Sequence, residues 1–302
     1  MLQPAKVLAG LTILITLSLA AVVWFYPASG DFRADNPFWN GVQTLCNQHN
    51  VTPINAFSDL PSSATGTAVI IVPYTQFTEA ELTQTRNYVS TGGTLILLDD
   101  YGYGNQVLDS LGSKIKFNSQ PLLDPLFAYQ NKWLPKITDF TNTPLKANVS
   151  SIVFNHATTL EAESGIIVAE SSSFSFLDLN YNQIRDANEP TGPLPVAAYQ
   201  KIGQGYVVAV SDPSILINCM IDQGDNLQFI QKAAALQTAA PRIYIDQTHL
   251  PTSALDEAKE TLAVIYGAAA SPVGTLLAAS SILAFTLYPL WKKVKKHDKN
   301  NT

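Results

Sequence analysis

Two runs of 20 residues without a charged side chain, 7–26 and 272–291, bracket this chain and limit its folding more than any other feature. As a helix rising about 1.5 Å per residue, each reaches about 30 Å, the thickness of a bilayer's hydrocarbon core. Trp24 and Tyr26 close the first run, where aromatic rings favour the membrane interface. Lys292, Lys293, Lys295, Lys296 and Lys299 follow the second. The first run also fits a cleaved signal peptide, with Ala28 and Gly30 ahead of a cut before Asp31. An apolar signal stretch is usually about 7–15 residues, however, and this one is longer. The rival for the second run is a buried core helix with a solvated basic end. Read as two spans, the runs predict a plasma-membrane protein with cytoplasmic ends, residues 1–6 and 292–302. Spans then occupy 7–26 and 272–291, and an extracytoplasmic domain occupies 28–271, because basic flanks stay inside.

Charge agrees with that division. The 302 residues carry a net charge of −6; Lys6 is the one charge up to residue 27, and residues 290–302 hold five Lys and one Asp. Residues 28–289 are therefore acidic, which argues against a nucleic-acid partner, since phosphates need a basic face. Two acceptor triplets for N-glycosylation, at Asn50 and Asn148, suit an exported segment. Cys46 and Cys219 are the two cysteines, able to persist as a disulfide outside the cell or to remain two thiols. Nothing in their spacing points to zinc.

Within the outer segment, continuous β-branched runs recur at 68–73, 94–98, 151–154, 165–169 and 206–210, with a short one at 242–245. Such runs predict strands buried on both faces. Helices are predicted over 38–49, 78–88 and 225–236. Thr78 and Glu81 have capping-box spacing, and Gly92-Gly93 marks a stop. The alternation predicts an α/β domain with a mostly parallel sheet flanked by helices. The Pro- and Asn-rich stretch 112–150 reads as an irregular insertion. In such sheets ligands sit beyond the carboxyl ends of the strands. Those ends carry Asp99, Asp100 and Asn105, then His156, then Asp212 and Asn218. Asp246 stands three residues before His249 after the last short strand. These side chains either cap turns or line a crevice.

The segments VIIVPYTQFTEAEL, YVSTGGTLILLDDYGYGNQVLDSLG, PLLDPLF, GPLPVAAYQKIGQGYVVAVSDPSILIN and IYIDQTH resemble an exported prokaryotic family known as domain of unknown function 4350. The resemblance spans roughly residues 36–250. It implies a class I glutamine-amidotransferase-like, flavodoxin-like fold without an established reaction, and the two-span members it most resembles are archaeal. True class I amidotransferases place a nucleophilic Cys on a tight elbow after a strand. The corresponding stretch here is Tyr74-Thr75-Gln76-Phe77, and Cys46 and Cys219 flank other strands. Glutamine hydrolysis is not expected.

The sharpest local pattern is Asp178-Leu179-Asn180-Tyr181-Asn182-Gln183-Ile184-Arg185-Asp186-Ala187-Asn188-Glu189. Oxygen-bearing side chains stand at positions 1, 3, 5, 9 and 12, and Ile184 offers its carbonyl at position 7, the ligand order of an EF-hand calcium loop. Gln183 departs from that order where a sharp turn prefers glycine, and no helix pair flanks the loop. The alternative is a polar turn. The expectation is a non-catalytic, membrane-anchored domain that binds a ligand or a protein partner at the envelope, stabilised by Ca2+. The competing class is a metal-assisted hydrolase using Asp99, Asp100, Asp212, His156 or His249. Convergence of three of these on one pocket would favour the hydrolase; scattered capping would favour the binder.

Overall fold

A computed structural model of the chain describes residues 4–163 and 165–298, with the side chains of 290–298 outside that description. It divides into two compact units, residues 27–251 and the terminal segments up to 26 and from 252 onward.

The larger unit is built on an eight-stranded sheet among the described residues. In chain order its strands are β1 (Val51–Ile54), β2 (Thr67–Ile71), β3 (Thr94–Leu98), β4 (Asp139–Phe140), β5 (Ile166–Glu170), β6 (Pro195–Ile202), β7 (Gly205–Val210) and β8 (Arg242–Asp246). Their spatial order is β1-β8-β2-β3-β7-β6-β5-β4. The first five in that order run parallel, and β6, β5 and β4 extend the sheet antiparallel. The sheet is thus mostly parallel, as the sequence predicts.

The continuous apolar runs have a simple cause. Along β2, Ala68 and Ile70 enter one core while Val69 and Ile71 enter the other. Ile96 and Leu98 of β3 divide from Leu95 and Leu97 in the same way, as do Val208 and Val210 of β7 from Val207 and Ala209. A strand between two cores needs apolar side chains on both faces of its pleat. Helices cover each face. Leu45 of α2 (Gln43–His49) and Phe229, Ile230, Ala233 and Ala234 of α5 (Asn226–Ala234) close the first core. Leu82 and Val89 of α3 (Glu79–Ser90) and Val107 and Leu108 of α4 (Gly104–Ser110) close the second. Each large apolar side chain so buried contributes roughly 1.5–3 kcal/mol. The α3 capping box is complete: Thr78 N donates to Glu81 Oε2 at 2.8 Å, and Glu81 N to Thr78 Oγ1 at 3.3 Å. At its other end Gly92 takes φ 114°, a conformation closed to side-chain-bearing residues.

Three elements depart from expectation. The run 151–154 yields a two-residue strand, Ile152–Val153, paired with Lys136–Ile137 outside the central sheet. It is buried, but the Asn226 side chain takes both backbone groups of Val153, accepting from its N–H at 2.8 Å and donating to its carbonyl at 2.9 Å. The helix expected over 38–49 begins at Gln43, because Phe38 to Val42 close a turn on Arg33 and Asn36. The stretch 112–150 is more regular than expected. It supplies Ile115–Phe117 and Leu122–Leu123 to two small ribbons, and β4 to the edge of the sheet.

In the terminal unit, α1 (Pro4–Phe25) and residues 272–289 of α7 (Pro272–Asp298) are long and apolar enough to cross a membrane, by length and composition. Helix α6 (Ala254–Ala270) precedes α7, opened by a capping box between Ser253 and Asp256. No side chain of α1 is buried, so its leucines and isoleucines have no protein cover, an arrangement suited to lipid. The basic cluster from Lys292 onward lies outside the described side chains.

Candidate functional site

The sheet's parallel half points its carboxyl ends at one place. After β3 the chain turns through Asp99, Asp100 and Tyr101, and after β7 through Ser211 and Asp212. All three aspartates are buried, with 2%, 6% and 0% of their surface exposed. Asp99 grips its own turn: Oδ1 accepts from Gly102 N and Oδ2 from Gly104 N, each at 2.7 Å. A Cβ on Gly104 would stand 2.6 Å from Asp99 Oδ2 and 2.8 Å from the Phe117 ring, so the turn requires glycine there. Asp212 Oδ1 accepts from Ser214 N at 2.7 Å, and its Oδ2 accepts from Asn155 N. Asp100 Oδ1 accepts from Tyr101 N at 2.7 Å and faces the Tyr74 hydroxyl at 3.5 Å.

Burial and mutual repulsion set the electrostatics. Burial first, opposed by the Gly104 and Gly102 N–H groups and reinforced by the Asp100 charge, pushes the Asp99 carboxyl up to about 7. Burial raises Asp100 and lifts Asp212 well above the carboxylate range, with the Asp100 charge adding to the latter. Desolvation, reinforced by the charges of Asp100, Asp212 and Asp99, holds the phenol of half-buried Tyr74 more firmly protonated than an ordinary tyrosine. Beside it opens a cavity of about 220 Å³, lined by Asp31, Trp39, Asn40, Tyr74, Asn155 and His156 among others. His156 takes φ 64°, donates its backbone N–H to Trp133 O at 2.9 Å and stacks its ring on Trp133. Burial lowers its pKa, so the imidazole is disposed to be neutral.

The other expected residues lie elsewhere. Asn105 bridges both backbone groups of Phe117. Asn218 ties down the segment ahead of α2, accepting from Thr44 N at 2.8 Å and donating to Phe38 O at 2.6 Å. His249 Nδ1 lies 2.6 Å from Asp246 Oδ2 and its Nε2 lies 3.7 Å from Glu81 Oε2. Its ring stacks on Phe77 with centroids 3.5 Å apart, and it is buried. That environment is a packed core position rather than an open site. Sequence reasoning missed Tyr74, Asp31, Trp39 and Asn40 as cavity residues. The density of Asp and Asn in DFRADNPFWN was the available signal, for Asn36 and Asn40 fold this segment onto itself.

Cys46 is half-buried and Cys219 exposed, and both are free thiols. Burial pushes Cys46 up to about 11, which disfavours a thiolate. Asn50 and Asn148 are exposed, each in a left-handed turn. In the 178–189 loop, Asp178 and Glu189 are buried. Among the described residues, no three His, Cys, Asp or Glu side chains form a metal cluster by themselves.

These features define an α/β protein with a mixed, mostly parallel sheet and an aromatic and amide-lined cavity at its strand ends. Residues 39–234 match the family model described as "Domain of unknown function (DUF4350)", and the chain belongs to that family. No curated protein matches it. Among solved structures it is similar to the mmIFT52 N-terminal domain, at 15% identity and a TM-score of 0.45, covering 63% of this chain and 86% of that one. A putative ThuA-like protein from Bacteroides uniformis matches at 13% identity and a TM-score of 0.36, covering 63% and 78%. A beta-galactosidase from Bacillus circulans sp. alkalophilus matches at 15% identity and a TM-score of 0.34; the match covers 55% of this chain and 22% of that enzyme.

Proposed function

We propose that this chain is a membrane-anchored receptor-like domain that binds a ligand or protein partner at the cell envelope and performs no chemistry of its own. One observation carries the reading. At the strand ends, Asp99 and Asp212 already have both carboxylate oxygens committed to backbone N–H groups. The adjoining cavity is lined by Trp39, Tyr74, Asn155 and His156, side chains suited to recognition by stacking and hydrogen bonding.

Lys6 in the first turn of α1 and the lysines after residue 291 support cytoplasmic ends, with residues 28–271 outside. The parallel run β1-β8-β2-β3-β7 with helices on both faces supports the class I glutamine-amidotransferase-like assignment, with Tyr74 in the elbow stretch where that class carries its nucleophile. The two-span arrangement supports an archaeal source, and exposed Asn50 and Asn148 support glycosylation. A hydrolase remains the second reading for one reason: Asp100 faces the Tyr74 hydroxyl at 3.5 Å beside Asp99, whose carboxyl near 7 has the pKa of a general acid or base, although of the five residues that reading names His156 alone lines the cavity.

Capture of partners by the full-length protein from native membranes tests the proposal. Trp39→Ala with His156→Ala should abolish a specific capture that Asp99→Asn preserves. Loss with Asp99→Asn alone, at unchanged stability, would transfer the site to the acids and favour the hydrolase. Protease added to intact cells should digest residues 28–271 and spare tags at both ends; a protected middle would reverse the topology.

A further inference from the structure

We propose that residues 178–189 form a calcium site, with side-chain oxygens from Asp178, Asn180, Asn182, Asp186 and Glu189 and the carbonyl oxygen of Ile184. The loop is closed at its base, where Leu177 N donates to Pro190 O at 2.9 Å. Its first and last acids both turn inward. Asp178 is fully buried, and its Oδ2 accepts from Gln183 N across the loop at 2.9 Å. The other oxygen, Oδ1, is buried and has no hydrogen-bond partner. A buried carboxylate oxygen without a donor is unfavourable, and a cation at that oxygen removes the penalty.

Glu189 is also buried, reaching back so that Oε1 accepts from Leu179 N and Oε2 from Asp186 N, both at 2.9 Å. Its carboxylate therefore lies against the two backbone segments that carry the loop's other acids. Between these ends, Asp186 Oδ2 accepts from the side-chain amides of Asn180 at 2.7 Å and Asn182 at 2.9 Å. Three of the side chains a calcium ion would need thus already meet. A cation would replace the two amide donors at Asp186, and to ligate it Asn180 Oδ1 and Asn182 Oδ1 would give up the N–H groups of Asn182 and Ile184 that they now accept at 3.0 and 2.7 Å. Among the described residues no ion pair reaches Asp178, Asp186 or Glu189; Lys132 donates to Gln183 O at 2.7 Å instead.

The donor set selects the metal. It is entirely oxygen, with three carboxylates, two amides and one carbonyl, and the segment has no His or Cys. Calcium accepts six to eight such oxygens in flexible geometry, whereas magnesium demands a tight octahedron and zinc prefers nitrogen and sulfur. The site does not depend on which side of the membrane the domain faces, although the affinity expected of such loops, about 10⁻⁴–10⁻³ M, suits extracellular calcium.

The test uses the full-length protein in detergent, stripped with chelator. Tyr181, inside the loop, should sensitise terbium emission that calcium displaces with a midpoint of about 0.1–1 mM. Magnesium at the same concentration should not displace it. Calcium at 10 mM should raise the melting temperature by several degrees over chelator. Asp178→Asn and Asp186→Asn should each weaken calcium at least tenfold while leaving the circular dichroism in chelator unchanged. If Asp178→Asn misfolds, Asp186→Asn decides, because its side chain contacts only the two amides. Equal terbium emission and equal calcium shifts in wild type and Asp186→Asn would overturn the proposal, as would magnesium matching calcium.

Discussion

The protein holds two groups of three acids, both bound to N–H donors, and they differ in what is left over. Asp99, Asp100 and Asp212 lie at the strand ends, where helices and turns bring many backbone N–H groups close. Asp99 and Asp212 are saturated by those donors, and burial raises all three so that the protonated form shares the load. Asp178, Asp186 and Glu189 lie on a loop and also accept five N–H donors, from Gln183, Asn180, Asn182, Leu179 and Asp186, yet Asp178 keeps a buried oxygen with no partner. A carboxylate can be neutralised by a proton, by N–H groups or by a metal. The first group uses the first two; the second uses N–H groups and leaves one buried Asp178 oxygen, which the proposed calcium ion would meet.

The largest effect expected from breaking this contrast is at Asp212. Replacing it with Ala leaves the N–H groups of Asn155 and Ser214 without acceptors in a fully buried place, and should cost about 4 kcal/mol in urea unfolding. A stable Asp212→Ala protein that has lost its partner would instead make this residue part of a binding site.

The second effect is pH-dependent. Asp99 is raised from 3.8 to about 7 in the folded chain, so between those values the folded state binds a proton that the unfolded state releases. Stability from this group is full below about pH 4 and is lost as pH rises through about 7, on the order of 4 kcal/mol. Asp99→Asn should flatten the fall between pH 4 and 7, measured by urea unfolding at fixed ionic strength. A stability that rises through this window would show that the strand-end acids are ionised.

A smaller change should sharpen the other side. Gln183 holds φ 63°, which costs a side-chain-bearing residue about 1–2 kcal/mol. Gln183→Gly should raise stability by about 1 kcal/mol and tighten calcium binding, read by melting and titration together. Smallest of all, Lys132→Met removes one exposed bond to the Gln183 carbonyl and should shift stability by roughly 0.5 kcal/mol or less. A large loss there would mean that Lys132 serves as the loop's missing counter-charge.

How much of this was legible depends on how far each signal reaches along the chain. The strands at 67–71, 94–98 and 205–210 were readable because burial on both faces leaves a continuous apolar mark. β6, with Pro195, its alanines and Lys201, carries no such mark, and the run 151–154 carries one without joining the sheet. Asn226, 73 residues away, decided the latter by occupying Val153.

The sequence by itself determined the two long apolar helices, the acidic segment between basic ends, the α3 capping box and the oxygen spacing of 178–189. Each of these is set by neighbours within a few turns of chain, where composition and period are the physics. Only the tertiary structure decided that Asp100 faces the Tyr74 hydroxyl, that His156 joins the cavity beside Tyr74 while His249 is packed on Phe77, and that Asn105 and Asn218 are staples. Those roles depend on which distant backbone groups arrive within about 3 Å of a side chain. Strand order sets those arrivals, because parallel pairing brings β3 and β7, more than a hundred residues apart in sequence, side by side with their polar ends in register.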